Sequence, residues 1–148
     1  MNETPQPDVL YHPPEDLSPE EERTWAMLAH LSVLLNLLTG FLGVVAALAI
    51  YLVYRERSRY VAFQAWQAFL FQLIFWGGGT LLAALTWVIS GILAAILVGC
   101  LLMPLACLFS LLPIGAVVYG VIGALECNQG NDFRYYLVGD WAENFELS

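Results

Sequence analysis

Polar side chains are gathered at the two ends of the chain and in one short internal segment, and the stretches between them are almost wholly apolar. Between Arg23 and Arg55 the ionisable side chains are His30, Tyr51 and Tyr54 besides the termini of the run, and between Arg59 and Glu126 they are the weak acids Tyr60, Cys100, Cys107 and Tyr119. Both stretches exceed the ~20 apolar residues that a spanning helix needs. Ser18-Pro19-Glu20-Glu21 reads as an N-cap, a proline at the first helical position and a capping-box glutamate, so the first helix is predicted to start there. Thr39-Gly40 is the natural break in the first run. Residues 19–38 then make a helix of roughly 30 Å, and residues 41–54 a shorter one that falls short of a full bilayer. Residues 61–125 are too long for two upright helices, which would each measure roughly 48 Å. They hold two tilted, kinked helices or three spans, the number that length alone favours, with candidate breaks at Gly77-Gly78-Gly79, Ser90-Gly91, Gly99 to Pro104 and Pro113. The pattern predicts an all-α, polytopic membrane bundle of about four membrane segments, five if the last run holds three spans.

Composition sharpens this picture. Hydrophobic residues make up 59% and charged residues 12% of the 148, against about 45–50% and about 25% in soluble domains. The net charge of −8 sits on the ends, and with no lysine there is no basic groove to follow a phosphate backbone, which excludes a nucleic-acid partner. Residues 1–17 read as an acidic, proline-bearing flexible tail, residues 18–126 as the membrane helical domain, and residues 127–148 as a polar and aromatic interfacial tail. The N-terminus lacks the basic region of a cleaved signal peptide, so the first apolar segment is expected to remain in the mature protein. Cys100, Cys107 and Cys127 lack metal-like spacing and read as small apolar residues.

Candidate chemistry is sparse. His30 is an intramembrane ionisable residue, hence by default a functional candidate, but no acid or further ligand lies near it in sequence. Ala29, Ser32, Asn36 and Thr39 recur at helical spacing and form a small, polar stripe that should meet another helix. Gln64, Gln67 and Gln72 fall within an arc of about 140°. They need protein or water partners, since an unpaired amide in hydrocarbon costs several kcal/mol. Arg55, Arg57 and Arg59, among Tyr51, Tyr54 and Tyr60, mark a cytoplasmic-side anchor able to contact lipid headgroups. Gly91, Ala95 and Gly99, and again Ala116, Gly120 and Ala124, read as helix-packing seams. No phosphate loop, zinc-protease helix, nucleophile elbow or acid pair is present, so no enzymatic activity and no cofactor or metal is expected.

Three stretches, Trp25-Ala26-Met27-Leu28-Ala29-His30-Leu31-Ser32, residues 51–72 with the arginine turn and "VAFQAWQAFLFQ", and "NQGNDFRYYLVGD" after the last span, carry a family likeness. In them the chain resembles small bacterial and archaeal membrane proteins of unknown function that are related to the twenty-kilodalton channel-forming subunit of the chloroplast inner-envelope protein translocon. The resemblance implies a four-helix membrane domain made of an N-terminal hairpin and two later helices, in the cell's inner membrane, with both termini cytoplasmic. That topology puts Arg23, the loop from Arg55 to Arg59 and Arg134 on one side, as the positive-inside rule prefers. The expected role is that of a non-enzymatic helical subunit or scaffold in a membrane assembly, related to protein translocation or insertion, with lipids and other membrane subunits or further copies of itself as partners. The alternative is a small channel or transporter whose polar path is lined by His30, Asn36, Gln64, Gln67 and Gln72. Geometry discriminates them, because a conduit needs these side chains around a continuous cavity whereas a scaffold uses them in helix-to-helix bonds.

Overall fold

The computed structural model describes residues 17–146, and every regular element among them is helical. Helix α1, Pro19–Leu31, opens on the predicted capping box: the Ser18 amide donates to Glu21 Oε2 at 2.9 Å and the Glu21 amide to Ser18 Oγ at 3.3 Å. These bonds satisfy two of the donors that a helix start leaves free. After a slight break at Ser32 the chain continues as α2, Val33–Thr39, and then reverses at Gly40, whose φ of 84° favours glycine. Helix α3, Leu42–Tyr54, returns antiparallel to α1 and α2 and completes the predicted N-terminal hairpin.

The arginine turn leads into α4, Arg59–Phe71, capped by the Ser58 hydroxyl, which accepts from the Val61 amide at 3.1 Å. The rod then passes through a π turn, Gln72–Gly78, into α5, Gly79–Leu93, and a 3-10 turn, Ala94–Ile96. It reverses at Leu97, which has a left-handed φ of 64°. Helix α6, Val98–Asn128, runs back with Pro104 and Pro113 inside it, and α7, Gly139–Glu146, follows a short connecting segment. Residues 61–125 therefore form two long helices, and the three-span alternative falls away. Glycines at 77–79 and prolines at 104 and 113 loosen the ladder without ending the helix, a tolerance expected where neighbouring helices and local π turns satisfy the freed groups. The rods Arg59–Ile96, of 38 residues, and Val98–Asn128, of 31, are both long and apolar enough to cross a membrane.

The helices form two zones. In the base, α1 packs on α6, α4 and α3, with Ala29, Ala47, Ala65 and Ala68 fully buried where the backbones approach. Small residues suit this close approach in lipid, where packing and hydrogen bonds replace the hydrophobic drive. Beyond the base, α5 and the first half of α6 pack chiefly on each other as a two-helix arm. The surface is apolar over both zones: Leu38, Leu42 and Val53 on the hairpin and Ile92, Leu97 and Leu101 on the arm are all more than half exposed. The ring of polar residues lies at one end of the base. There Ser58 donates to Glu22, the Tyr60 hydroxyl donates to the Asn131 carbonyl at 3.2 Å, and the Arg134 guanidinium lies over the Phe63 ring at 5.3 Å.

Two of the expected seams are treated differently by the fold. Ala116, Gly120 and Ala124 are buried along α6, and a Cβ on Gly120 would stand 2.8 Å from Val33 Cγ1, which shows how tightly α6 meets α1 and α2. Gly91, Ala95 and Gly99 do not form one seam, because the reversal at Leu97 falls between Ala95 and Gly99. Gly99 is buried against α5, where an added Cβ would lie 2.0 Å from the Ser90 carbonyl, whereas Gly91 and Ala95 are exposed and Gly91 faces open space.

Candidate polar intramembrane site

The apolar base encloses two clusters of hydrogen-bonded side chains, and they take in the six polar residues His30, Ser32, Asn36, Gln64, Gln67 and Gln72 that the sequence offers as intramembrane candidates. His30, Gln64, Gln67, Gln72 and Asn36 are each at most 1% exposed and Ser32 is 5% exposed. Burial of so many amides within lipid is tolerable only if each donor and acceptor is met.

The first cluster joins α1, α4, α6 and the segment after α6. His30 Nε2 lies 3.0 Å from Gln64 Oε1, and His30 Nδ1 lies 3.0 Å from the Tyr135 hydroxyl. An amide oxygen only accepts, so Nε2 donates to Gln64, and in the uncharged ring Nδ1 then accepts from the Tyr135 hydroxyl. The Gln64 amide nitrogen donates to Asp132 Oδ1 and to the Phe133 carbonyl, both at 3.1 Å. Gln67 donates to Gln64 Oε1 and, at 2.6 Å, to the Phe133 carbonyl, and its own oxygen accepts from the Tyr135 amide at 3.2 Å. Cys127 adds a long thiol contact of 3.4 Å to Gln64 Oε1. Gln64 is therefore the hub, and both of its amide ends are filled.

Aromatic packing fixes the same segment. The Tyr135 ring stacks on Phe71 with centroids 3.9 Å apart and planes 5° from parallel, and Phe133 meets His30 edge-on at 5.4 Å. Gly123 makes room for this contact, since a Cβ there would lie 2.7 Å from Phe133 and 3.0 Å from His30 Nδ1. The C-terminal segment, expected to lie at an interface, sends Phe133 and Tyr135 into the base while Tyr136, Leu137 and Trp141 stay exposed. Tyr135, Phe133, Asp132 and Gly123 were not among the candidates read from the sequence. Their one sequence signal is that "NDFRYY" lies in a stretch that carries the family likeness.

The second cluster closes the N-terminal hairpin against the start of the π turn that follows α4. Asn36 Nδ2 donates to Gln72 Oε1 at 3.0 Å, and Asn36 Oδ1 accepts from the Gly43 amide at 2.8 Å, a donor that the start of α3 would otherwise leave free. Gln72 Nε2 donates to Ser32 Oγ at 2.9 Å, and the Ser32 hydroxyl is within 2.9 Å of the Gly43 carbonyl and 2.7 Å of the Ala29 carbonyl. Thr39, the last member of the α1–α2 stripe, is exposed and receives the Leu42 amide at 3.2 Å.

An apolar groove of about 570 Å³ runs along Phe71, Phe75, Leu108, Leu112, Tyr119 and Tyr135 on the flank of the base, and the glutamines do not contribute to it. At the charged end, a cleft of about 290 Å³ is lined by Arg59, Tyr60, Phe63, Asp132, Arg134 and Glu143. Arg134 is held there by Glu143 at 2.7 Å and Asp132 at 3.8 Å, and its hydrogen bond to Glu143 raises its pKa. Arg55 and Arg57 stand on the turn itself, Arg55 within 3.5 Å of Glu56 and Arg57 over the Tyr54 ring at 5.6 Å. Arg23, Arg55, Arg57, Arg59 and Arg134 therefore share one end of the molecule. Among the described residues, no three His, Cys, Asp or Glu side chains gather where they could hold a metal ion.

No curated protein and no solved structure matches the chain. A family model does match, over residues 21–142, a span that runs from the first turn of α1 to the middle of α7 and takes in both polar clusters. The description of that family speaks of magnetite crystals and makes no mention of a translocon, so the likeness to small membrane proteins holds while the link to the chloroplast subunit gains nothing from the match. The chain belongs to the magnetosome magnetite crystal formation protein family.

Proposed function

We propose that this protein is a non-catalytic helical scaffold of the magnetosome membrane, contributing to magnetite crystal formation as a packing subunit and not as a conduit or an enzyme. The observation that carries this reading is that His30, Ser32, Asn36, Gln64, Gln67 and Gln72 are consumed in bonds between helices or, for Gln64 and Gln67, also to each other and to the segment that follows α6. A conduction path needs polar groups turned toward a hydrated lumen, whereas here the roomy groove beside them is apolar. The family description supports a place in a membrane assembly built around the mineral. Two finer readings from the sequence, a part in protein translocation and a small channel, draw no support from that description. The orientation that suits the shared arginine end is cytoplasmic, with lipid headgroups as contacts for Arg55, Arg57 and Arg59.

The test is genetic replacement in a magnetite-forming host, with electron microscopy of the crystals. Loss of the chain is expected to alter crystal size or number, and a Gln64→Leu, Gln72→Leu double variant to reproduce that phenotype through reduced protein in the magnetosome fraction. Crystals unchanged in size and number after loss would refute the role. A double variant present at normal levels yet failing to restore crystals would refute the packing account and favour a direct chemical one.

A further inference from the structure

The rod from Arg59 to Ile96 has 38 residues, roughly 57 Å at helical rise, whereas the hydrocarbon core of a bilayer is about 30 Å thick. To fit as a straight rod it would lean about 60° from the membrane normal, outside the 0–40° that spanning helices show. The surplus length lies in the arm. Its tip, residues 94–98, is Ala-Ala-Ile-Leu-Val, with Ile96 and Leu97 65% and 78% exposed. A tip of that composition is not built to stand in water.

Both helices of the rod pair are weakened at one level, where the arm meets the base. On one side the π turn ends in Gly77 and Gly78, and α5 begins at Gly79. A Cβ on Gly78 would meet nothing within 4 Å, and one on Gly77 would meet only the Phe41 ring at 3.9 Å, so neither glycine is required by packing. On the other side α6 carries Pro113, which donates no amide to the preceding turn. The two weak points face each other: a Cβ on Gly79 would lie 2.9 Å from Leu112 Cβ and 3.3 Å from Pro113 Cδ. On the base side of this level Gln72 is tied to Asn36 and Ser32, and Trp76 Nε1 donates to the Gly40 carbonyl at 2.7 Å. On the arm side Trp87 Nε1 donates to Ser110 Oγ at 3.2 Å, which joins α5 to α6.

We infer that α5 and residues 98–112 of α6 form a hinged arm that bends on the base about Gly77–Gly79 and Pro113, so that its apolar tip stays in the hydrocarbon of the bilayer that holds the base. The mismatch supplies the force, and the paired breaks supply the place where bending costs least.

Spin labels on native Cys100, at the tip, and on Leu52→Cys, in the base, with Cys107→Ala and Cys127→Ala, test this by pulsed electron resonance in the full chain. In vesicles of short-chain phosphatidylcholine the distance is expected to be shorter than in vesicles of long-chain phosphatidylcholine, and the label on Cys100 is expected to be relaxed by oxygen and not by a water-soluble nickel chelate. An identical distance in both bilayers, or relaxation by the chelate, would overturn the proposal without touching the packing role of the base. Adding Gly77→Ala, Gly78→Ala and Pro113→Ala should abolish the thickness dependence, and a response equal to that of the parent would place the bend elsewhere and refute the assigned hinge. Should that variant fail to fold, the two measurements on the parent decide alone.

Discussion

Replacing Gln64 with leucine isolates the contribution of the hub. The substitution keeps the size of the side chain and makes the segment more apolar, so insertion should be intact. In the folded state it strands three buried donors, His30 Nε2–H, one amide N–H of Gln67 and the Cys127 thiol, and removes the two bonds that the amide nitrogen gives to Asp132 and the Phe133 carbonyl. Gln67 keeps its bond to the Phe133 carbonyl, so that carbonyl remains satisfied. The main losses are therefore the histidine donor and the Gln67 amide donor, and an unmet buried donor costs about 1–3 kcal/mol. Removing both partners should cost less than the sum of the single changes, because His30→Leu already deletes the group that Gln64→Leu strands. A double-mutant cycle of His30→Leu and Gln64→Leu, read by unfolding in mixed detergent micelles, is expected to show a coupling of about 0.6–2 kcal/mol, the range found for polar bonds between membrane helices. Strictly additive single effects would refute a direct bond between the two side chains and with it the network as drawn.

Tyr135→Phe should cost about 1 kcal/mol in the same assay, through the lost hydroxyl bond to His30, while Tyr135→Ala also removes the stack on Phe71 and should cost about 3–5 kcal/mol; equal effects would contradict the stacking contribution. Gly123→Ala is expected to destabilise by about 1–3 kcal/mol because its methyl would press on Phe133 and His30, and Gly91→Ala, which meets open space, should be neutral or slightly stabilising; a reversed order would contradict the packing. Changing Arg55, Arg57 and Arg59 together to glutamine should give mixed orientation or poor insertion, since only Arg23 and Arg134 would remain as positive anchors, and an unchanged single topology would show that other signals dominate. Thiol labelling from outside sealed cells can report that topology, but not through Cys127, which lies in the last turn of α6 and is fully buried. An added cysteine at exposed Asn131 serves instead, and labelling there in intact cells would contradict cytoplasmic placement of this end.

Features set by neighbours in sequence were legible from it. The Ser18 capping box and the Gly40 reversal depend on a few adjacent residues, and both stand where the sequence places them. The number of later spans was harder, because Gly77 to Gly79, Pro104 and Pro113 resemble breaks and yet remain inside helices, while the true reversal uses Leu97 in a conformation that glycine normally takes. Gly99 supplies closeness at that reversal and not the turn itself. The polarity of Gln64, Gln67 and Gln72 foretold that they need partners, but which partners depends on pairings such as His30 with Tyr135, 105 residues apart, that no local pattern encodes. The C-terminal segment misled for the same reason: its alternating aromatic and charged residues suit an interface, and only the packed base shows that Tyr135 turns inward.

The central claim is that the buried polar side chains hold helices together and conduct nothing. Ion flux through vesicles reconstituted with the purified full-length chain tests it most directly, with Gln64→Leu and Asn36→Leu variants measured beside it and thermal unfolding followed in parallel. Flux no greater than in protein-free vesicles is expected for all three proteins, together with lowered unfolding temperatures for both variants. Flux through the unaltered chain that either substitution abolishes while thermal behaviour stays unchanged would contradict the claim and establish the polar residues as a path.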